Sequence, residues 1–539
     1  MSENLKFRRL GTMLDCSRNA VMKPEAIKKW IDITADMGYN CVLLYIEDTY
    51  EVDDNPYFGH LRGRYTKQEL REIDDYAASK GMEVIPCIQT LAHVNAIFHW
   101  PVYRDIRDYD DIMMAGDERV YDLVDKMFAT MKESMRTNII NIGMDEAHML
   151  GRGQYMTKNG VHDRFEILMT HLNRVSEIAK KYGFELLMWG DMFFRIASGG
   201  DYYADNVEIS DTIKKMVPDN VKLVYWDYYS TYAEHYDKQI KLHASIKEDI
   251  WFAGGLWTWS GFAAHNDFSI EAMGPAMKSC VEYGVQDVFM TMWGDNGAEC
   301  SKFAMLPSLY YVAEYAKGNH DMEAIKAGFE AKFGIPFDGY MLLDLLGTPN
   351  EQSKAIVNPE KYMLYSDCFM GQFDNKVSVG EAESYGVCAK KLAAWENDPT
   401  YGYLFKAQKA LCEVLELKFD LGVRTREAYL NDDRETLSNL VHVYDEVLAR
   451  VEKFYAAYKQ QWMTENKPFG FDVQDLRLGG LMQRIKYCRV TLAEYLEGKL
   501  SSIEELEQPV LDILGCGEAG NGKHINYNNW SGTVTASVV

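Results

Sequence analysis

The sequence predicts an α/β protein, a (β/α)8 TIM barrel followed by a mostly α-helical C-terminal domain. Eight short apolar runs, rich in β-branched and aromatic residues, recur within the first ~320 residues, and a longer amphipathic stretch follows each. Beyond about residue 345 the strand-like runs stop and the helical stretches lengthen. A doubly wound open sheet would carry a glycine-rich phosphate loop after its first strand, and LDCSRNAV offers none.

The runs are RRLGTMLD (8–15), CVLLYIED (41–48), EVIPCIQT (83–90), NIINIGMDE (138–146), ELLMWGDM (185–192), VKLVYWDYY (221–229), IWFAGGLWTW (250–259) and DVFMTMWGDN (287–296). Each is short and β-prone enough to prefer strand. Between them, KPEAIKKWIDITADMG (23–38) places Pro24 at a helix start and Gly38 at its stop. TKQELREIDDYAASKG (66–81) opens with Thr66 and Glu69 in capping-box register and closes on Gly81. The barrel is therefore assigned to residues 1–345 and the helical domain to 346–515, where GEAESYGVCAKKLAAWEND, YLFKAQKALCEVLELKFDLG and ETLSNLVHVYDEVLARVEKFYAAYKQQW are the long helical stretches. Residues 516–539 form a Gly/Asn-rich tail. Within the helical domain, the segment from Tyr362 to Asp374 stands out for acids and aromatics in a loop-like setting.

At 539 residues with 47% hydrophobic and 26% charged, the chain can bury a large core. With 57 Lys and Arg against 81 Asp and Glu, its net charge of −24 repels a phosphate backbone, so no nucleic-acid partner is expected. No run reaches membrane-span length and the N-terminus lacks a signal-peptide core, so neither membrane association nor export is expected. Ten scattered cysteines without CxxC spacing read as small buried hydrophobes of a reducing, cytoplasmic compartment. The helical domain offers a surface for a homodimer or a brace for the barrel.

A parallel barrel keeps its site at the C-terminal ends of the strands. Those ends carry Asp15 and Arg18; Glu47 and Asp48; His93 and Asn95; Asp145, Glu146 and His148; Trp189 and Asp191; Tyr225 to Tyr228; Trp257 and Trp259; and Trp293, Asp295 and Asn296. Carboxylates accept hydrogen bonds from vicinal hydroxyls, and indole faces cover the apolar side of a pyranose, so together they fit a sugar. Asp and Asn also end strands for turn chemistry, and Trp also simply packs. Adjacent Asp145 and Glu146 can share one pocket only if the strand breaks into its loop there, because neighbouring strand residues face opposite ways; Gly151 and Gly153 follow closely. A carboxylate pair of this kind suits general acid chemistry.

These motifs resemble family 20 glycoside hydrolases, the exo-acting β-N-acetylhexosaminidases. The resemblance rests on Leu14-Asp15 with Arg18, IQTLAHVNA (88–96), IGMDEAH (142–148), Trp189-Gly190-Asp191, Tyr225-Trp226-Asp227 and Trp293-Gly294-Asp295, in that order. Because the first strand opens the sequence, it is nearest to shorter bacterial members without the small N-terminal α/β domain. It implies retaining, substrate-assisted hydrolysis of a terminal β-linked GlcNAc or GalNAc from a glycan or glycoconjugate, through an oxazolinium ion, with no cofactor and no metal. Glu146 would be the general acid and base, Asp145 would orient the acetamide nitrogen, and Tyr225 would donate to the acetamide oxygen with Asp227 in support. Trp189, Trp293 and one of Trp257 or Trp259 would wall the acetamido methyl. Arg18 would clamp the 3- and 4-hydroxyls. Asp295, where the family usually has Glu, would meet the 4- and 6-hydroxyls. His93 and Asp48 would pair beside the acid.

The rival readings are a barrel glycosidase with two separated carboxylates, such as Glu146 with Asp227 or Asp295, and a catalytically silent sugar-binding protein. A metal-dependent barrel hydrolase would need converging histidine and carboxylate ligands, such as His-x-His after an early strand, and the sequence has none.

Overall fold

A computed structural model describes residues 5–203, 207, 209–349, 358–377, 380–515 and 530. Two compact units are present. The first comprises residues up to 256 with 268–293 and 308–325; the second comprises 257–267, 294–307 and the chain from 326 on.

The first unit is a closed barrel of eight parallel strands: β1 (Arg9–Asp15), β2 (Cys41–Glu47), β3 (Glu83–Ile88), β4 (Ile139–Asn141), β5 (Glu185–Trp189), β6 (Val221–Trp226), β7 (Trp251–Gly255) and β8 (Asp287–Met292). Each pairs with its sequence neighbours and β1 closes on β8, with Thr12 opposite Met290 on one side and Val42 on the other. β2 and β8 are buried along their whole length because both faces are covered, by packed side chains inside and helices outside.

Local chemistry sets the helix ends. Helix Pro24–Met37 starts on proline and stops where Gly38 turns left-handed at φ 104°. Its inner face buries Ile27, Trp30 and Ile31, and the Trp30 indole donates to Thr12 Oγ1 of β1 at 2.9 Å. Burying each such aliphatic side chain contributes roughly 1.5–3 kcal/mol. Helix Lys67–Ser79 carries the full capping box, Thr66 accepting from the Glu69 amide and Glu69 accepting from the Thr66 amide.

The fourth strand departs from the sequence expectation. The run 138–146 reads as one strand, yet β4 ends at Asn141 and meets β3 only through Cys87 opposite Asn141. Gly143, Met144 and Glu146 all have positive φ (72°, 66° and 52°), which no strand accommodates. An antiparallel hairpin of Arg107–Tyr109 and Ile112–Met113, also absent from the sequence reading, sits in the long β3 loop.

The second unit is helical, built chiefly from Glu381–Leu392, Gly402–Lys418, Leu421–Leu430, Arg434–Glu465 and Phe471–Leu496. The segment 362–374 belongs to its interior: Tyr362 and Phe373 are fully buried with rings 5.1 Å apart, and the buried Lys418 ammonium donates to the Met363 and Ser366 carbonyls. Of the predicted tail only Trp530 lies within the described residues. Its ring is buried beneath Lys361 and Arg477, whose cations stand 4.3 and 4.6 Å from the ring centroid. Among the described residues, no helix is long and apolar enough to cross a membrane.

Candidate active site

The acid pair is placed by the turn that ends β4. Gly143 N–H donates to Asn141 Oδ1 at 2.9 Å, and Met144 N–H to Gln89 Oε1 at 3.2 Å. With Met144 and Glu146 in the left-handed region, alternation of side chains fails and both acids reach the same histidine: His93 Nε2 lies 3.3 Å from Asp145 Oδ2 and 3.5 Å from Glu146 Oε2. The strand therefore breaks at Gly143 and Met144, earlier than Gly151 and Gly153 suggested.

Gln89, the residue after β3, holds Asp145. Its amide donates to Asp145 Oδ1 at 2.8 Å and to the Tyr45 hydroxyl oxygen at 3.0 Å, while Tyr45 donates to Glu47 at 2.9 Å. Burial alone would push the Asp145 carboxyl up, but His93, the Gln89 amide and Arg18 outweigh it, and the group is held below the ordinary carboxylate value. His93 responds in kind: burial disfavours its charge, yet Asp145 and Glu47 raise its pKa to about 9. Asp191, the first residue of helix Asp191–Ser198, accepts from the Glu146 amide at 3.0 Å. Burial first, then the Asp145 charge, push its carboxyl up to about 8.

Arg18 is fixed at the end of β1. Asp15 accepts from the Ser17 and Arg18 amides at 3.0 and 3.1 Å, and the guanidinium lies 4.5 Å from the centroid of the Trp293 ring. Trp293 and Trp189 stand 6.0 Å apart, centroid to centroid, both nearly buried. Glu47 approaches Arg18 at 3.8 Å, but burial dominates and lifts its carboxyl to about 7. At the end of β6, the Tyr225 hydroxyl donates to Asp227 Oδ2 at 2.8 Å, an oxygen that His235 Nε2 also meets at 2.7 Å. Within the barrel unit, then, Asp145, Glu146 and His93 are drawn together at one end, Arg18 joins Trp189 through Trp293, and Tyr225 joins Asp227.

Other expectations are redrawn. Asp48 does not pair with His93; it accepts from Arg62 at 3.0 Å, and the carboxylate at His93 Nδ1 is Asp111, 3.9 Å away. Trp257, Trp259 and Asp295 follow β7 and β8 directly but lie in the second unit. There Trp257 and Trp259 hold their rings 4.8 Å apart, and Arg477 and Gln474 donate to the carbonyls of Asn296 and Gly297, next to Asp295. Sequence reading missed Gln89, although it sits inside the quoted IQTLAHVNA run, and Tyr202, whose hydroxyl donates to Glu146 Oε1 at 2.5 Å from a loop far along the chain.

Paired carboxylates, an arginine and tilted indoles at the strand ends of a parallel barrel have the make-up of the glycoside hydrolase class. The chain belongs to family 20 of that class: residues 6–252 match the glycosyl hydrolase family 20 catalytic domain, and residues 338–524 match the glycoside hydrolase 20C C-terminal domain. Among curated proteins it is similar to hexosaminidase D of Bos taurus, 25% identical over 241 residues, and to hexosaminidase D of Homo sapiens, 24% identical over 245. Each match takes in 42% of this chain, and 63% and 46% of those relatives' lengths. Among solved structures it is similar to a β-N-acetylhexosaminidase from Bacteroides fragilis, with TM-score 0.46 and 17% identity over 61% of this chain and 70% of that one.

Proposed function

We propose that the protein is an exo-acting, retaining β-N-acetylhexosaminidase that removes terminal β-linked GlcNAc, with GalNAc as a second substrate, by substrate-assisted catalysis. The observation that carries this reading is the acid pair on one histidine, with the Asp145 carboxyl held below its ordinary value. In the proposed reaction the acetamido oxygen attacks C1 while Glu146 protonates the departing glycosidic oxygen. Asp145 aligns the acetamide nitrogen and balances its developing positive charge, so no protein atom bonds to the sugar. Glu146 then takes a proton from the water that opens the oxazolinium ring.

Tyr225 supplies the donor to the acetamide oxygen. Its hydroxyl is oriented by Asp227, whose same oxygen also meets His235. Trp189 and Trp293 wall the acetamido methyl, and Arg18 clamps the 3- and 4-hydroxyls. His93 holds Asp145 in its charged form, and Asp48 acts through Arg62. The described cysteines are unbridged and buried, which supports a reducing, cytoplasmic setting.

The deciding experiment compares nitrophenyl β-GlcNAc, β-GalNAc and β-glucoside. Substrate assistance predicts that the glucoside, which lacks the acetamido carbonyl, is hydrolysed at least a thousandfold more slowly; comparable rates would install a carboxylate nucleophile instead.

A further inference from the structure

We infer that Asp108, in the hairpin of the β3 loop, is a positioning residue: it fixes the loop that carries Glu146 relative to His93. This rests on the hexosaminidase reading above, in which Glu146 gives and takes a proton. Asp108 is 3% exposed, and its carboxylate accepts three backbone N–H groups from the loop after β4. Gly151 donates to Oδ2 at 2.7 Å, while Gly153 and Tyr155 donate to Oδ1 at 3.1 and 2.8 Å. A buried carboxylate needs such donors, and it holds the backbone that supplies them. Hairpin and loop also touch directly: a methyl on Gly153 would meet the Asp108 carbonyl oxygen at 2.1 Å, so glycine permits the approach.

Glu146 lies between two anchors. Its own amide donates to Asp191 Oδ2 at 3.0 Å, and the segment that leads on to Gly151 is wound into successive tight turns. His148 N–H donates to the Glu146 carbonyl at 2.5 Å, Leu150 N–H to the Ala147 carbonyl at 3.1 Å and Arg152 N–H to the Met149 carbonyl at 2.9 Å. Ala147 and Leu150 are fully buried, and Arg164 donates to the Ala147 and His148 carbonyls. A segment packed and bonded in this way passes a shift at Gly151 back to Glu146.

The same hairpin holds the histidine. Asp111, in its turn, accepts the His93 N–H at 3.0 Å through Oδ2 and the Val94 N–H at 3.1 Å through its carbonyl, and Met113 N–H donates to the Leu91 carbonyl at 2.7 Å. His93 has φ 56°, a conformation that persists only where its surroundings fix it. One two-stranded element therefore grips both loops, with Asp111 on His93 and Asp108 on the acid loop. Together they set the 3.5 Å between His93 Nε2 and Glu146 Oε2.

The test compares Asp108→Asn with wild type on methyl β-N-acetylglucosaminide, whose leaving group needs a proton from the acid, and on nitrophenyl β-GlcNAc, whose leaving group needs little help. Asparagine fills the same space but turns an NH2 toward an amide donor, which releases part of the loop. On the methyl glycoside kcat falls about tenfold or more, and on the nitrophenyl glycoside about threefold or less, with KM for both near wild type. Gly153→Ala pushes the hairpin off the loop from the other side and gives the same skewed loss, even if Asp108→Asn does not fold. Equal losses on both substrates, as a merely structural residue would give, or no loss on either, would overturn the assignment. Wild-type protein that cuts neither glycoside removes the hexosaminidase reading alone. The crystal structure of Asp108→Asn then decides: a His93 to Glu146 separation still at 3.5 Å overturns the positioning role, and a longer one supports it.

Discussion

His93 and Asp145 stand 3.3 Å apart in a buried pocket, and each moves the other's proton affinity in the direction that charges both. Because the folded pKa of His93, about 9, lies above its ordinary 6.5, the imidazolium stabilises the fold fully below pH 6.5, and that contribution is lost as pH rises through about 9. His93→Gln should abolish this component. Denaturant unfolding of wild type and variant between pH 6 and 10 should show a stability gap that closes at the alkaline end.

The same substitution bears on catalysis. Without the imidazolium, burial acts on Asp145 with less opposition, so its carboxyl rises. The acidic limb of kcat/KM against pH for a nitrophenyl β-GlcNAc should move upward by about one unit or more. An unchanged limb would mean that the histidine does not govern the acid's charge.

Removing the acids should separate their roles. Glu146→Gln should lower kcat on methyl β-N-acetylglucosaminide by about 10³-fold or more, since that poor leaving group needs its proton. Asp145→Asn should cost ~10²–10³-fold on methyl and nitrophenyl glycosides alike, because it acts on the acetamide. Nitrophenolate needs less acid assistance, so the Glu146 variant should recover much of its rate on the aryl substrate while the Asp145 variant should not.

Tyr202 donates to Glu146 from a distant loop. Tyr202→Phe should reduce kcat about tenfold, the equivalent of one hydrogen bond, with little change in thermal midpoint. Steady-state kinetics and a melting curve on the same preparation check both halves.

Gly143 has φ 72°, and a methyl there would meet Gln89 Oε1 at 1.9 Å. Gly143→Ala should cost about 1–2 kcal/mol of stability through backbone strain. It should also displace the Gln89 amide from Asp145, so activity should fall well beyond what the stability loss explains. Urea unfolding alongside kcat/KM separates the two effects.

The barrel was legible because its signals are local and repeated: strands 8–15 and 41–48 were read to within one residue, and Thr66 and Glu69 announced their helix. The fourth strand was overextended because apolar residues continue past the point where Gly143 and Met144 turn left-handed, and hydrophobicity does not report φ. The acid pair showed itself as a dipeptide, but its support did not. Gln89 reads as one polar residue in a loop, and Tyr202 meets Glu146 only through tertiary structure. The family resemblance pairs Asp48 with His93, whereas in space Arg62 donates to Asp48 and Asp111 is the carboxylate at His93 Nδ1. Trp257, Trp259 and Asp295 follow barrel strands in sequence, yet their compact neighbourhood is the helical unit, which strand periodicity cannot reveal.

The helical unit buries a charged cluster of its own. Lys361 and Glu299 form an ion pair at 2.8 Å with both side chains essentially inaccessible, and Arg477 adds a second cation at 3.0 Å. Lys361→Met should destabilise the protein by roughly 3–5 kcal/mol if Arg477 cannot compensate the stranded carboxylate, and by clearly less if it can. Equilibrium unfolding of Lys361→Met, Arg477→Met and the double variant gives the coupling directly.

The backbone passes between its two compact units five times, at 256, 267, 293, 307 and 325. Genetic recombination at a single junction therefore cannot exchange one unit for another: a crossover near residue 326 would leave the excursions at 257–267 and 294–307, with Trp257, Trp259 and Asp295, facing an unfamiliar helical companion. Descent should keep the halves together as a co-inherited pair, and chimaeras assembled from diverged homologues should fail unless both excursions travel with the helices.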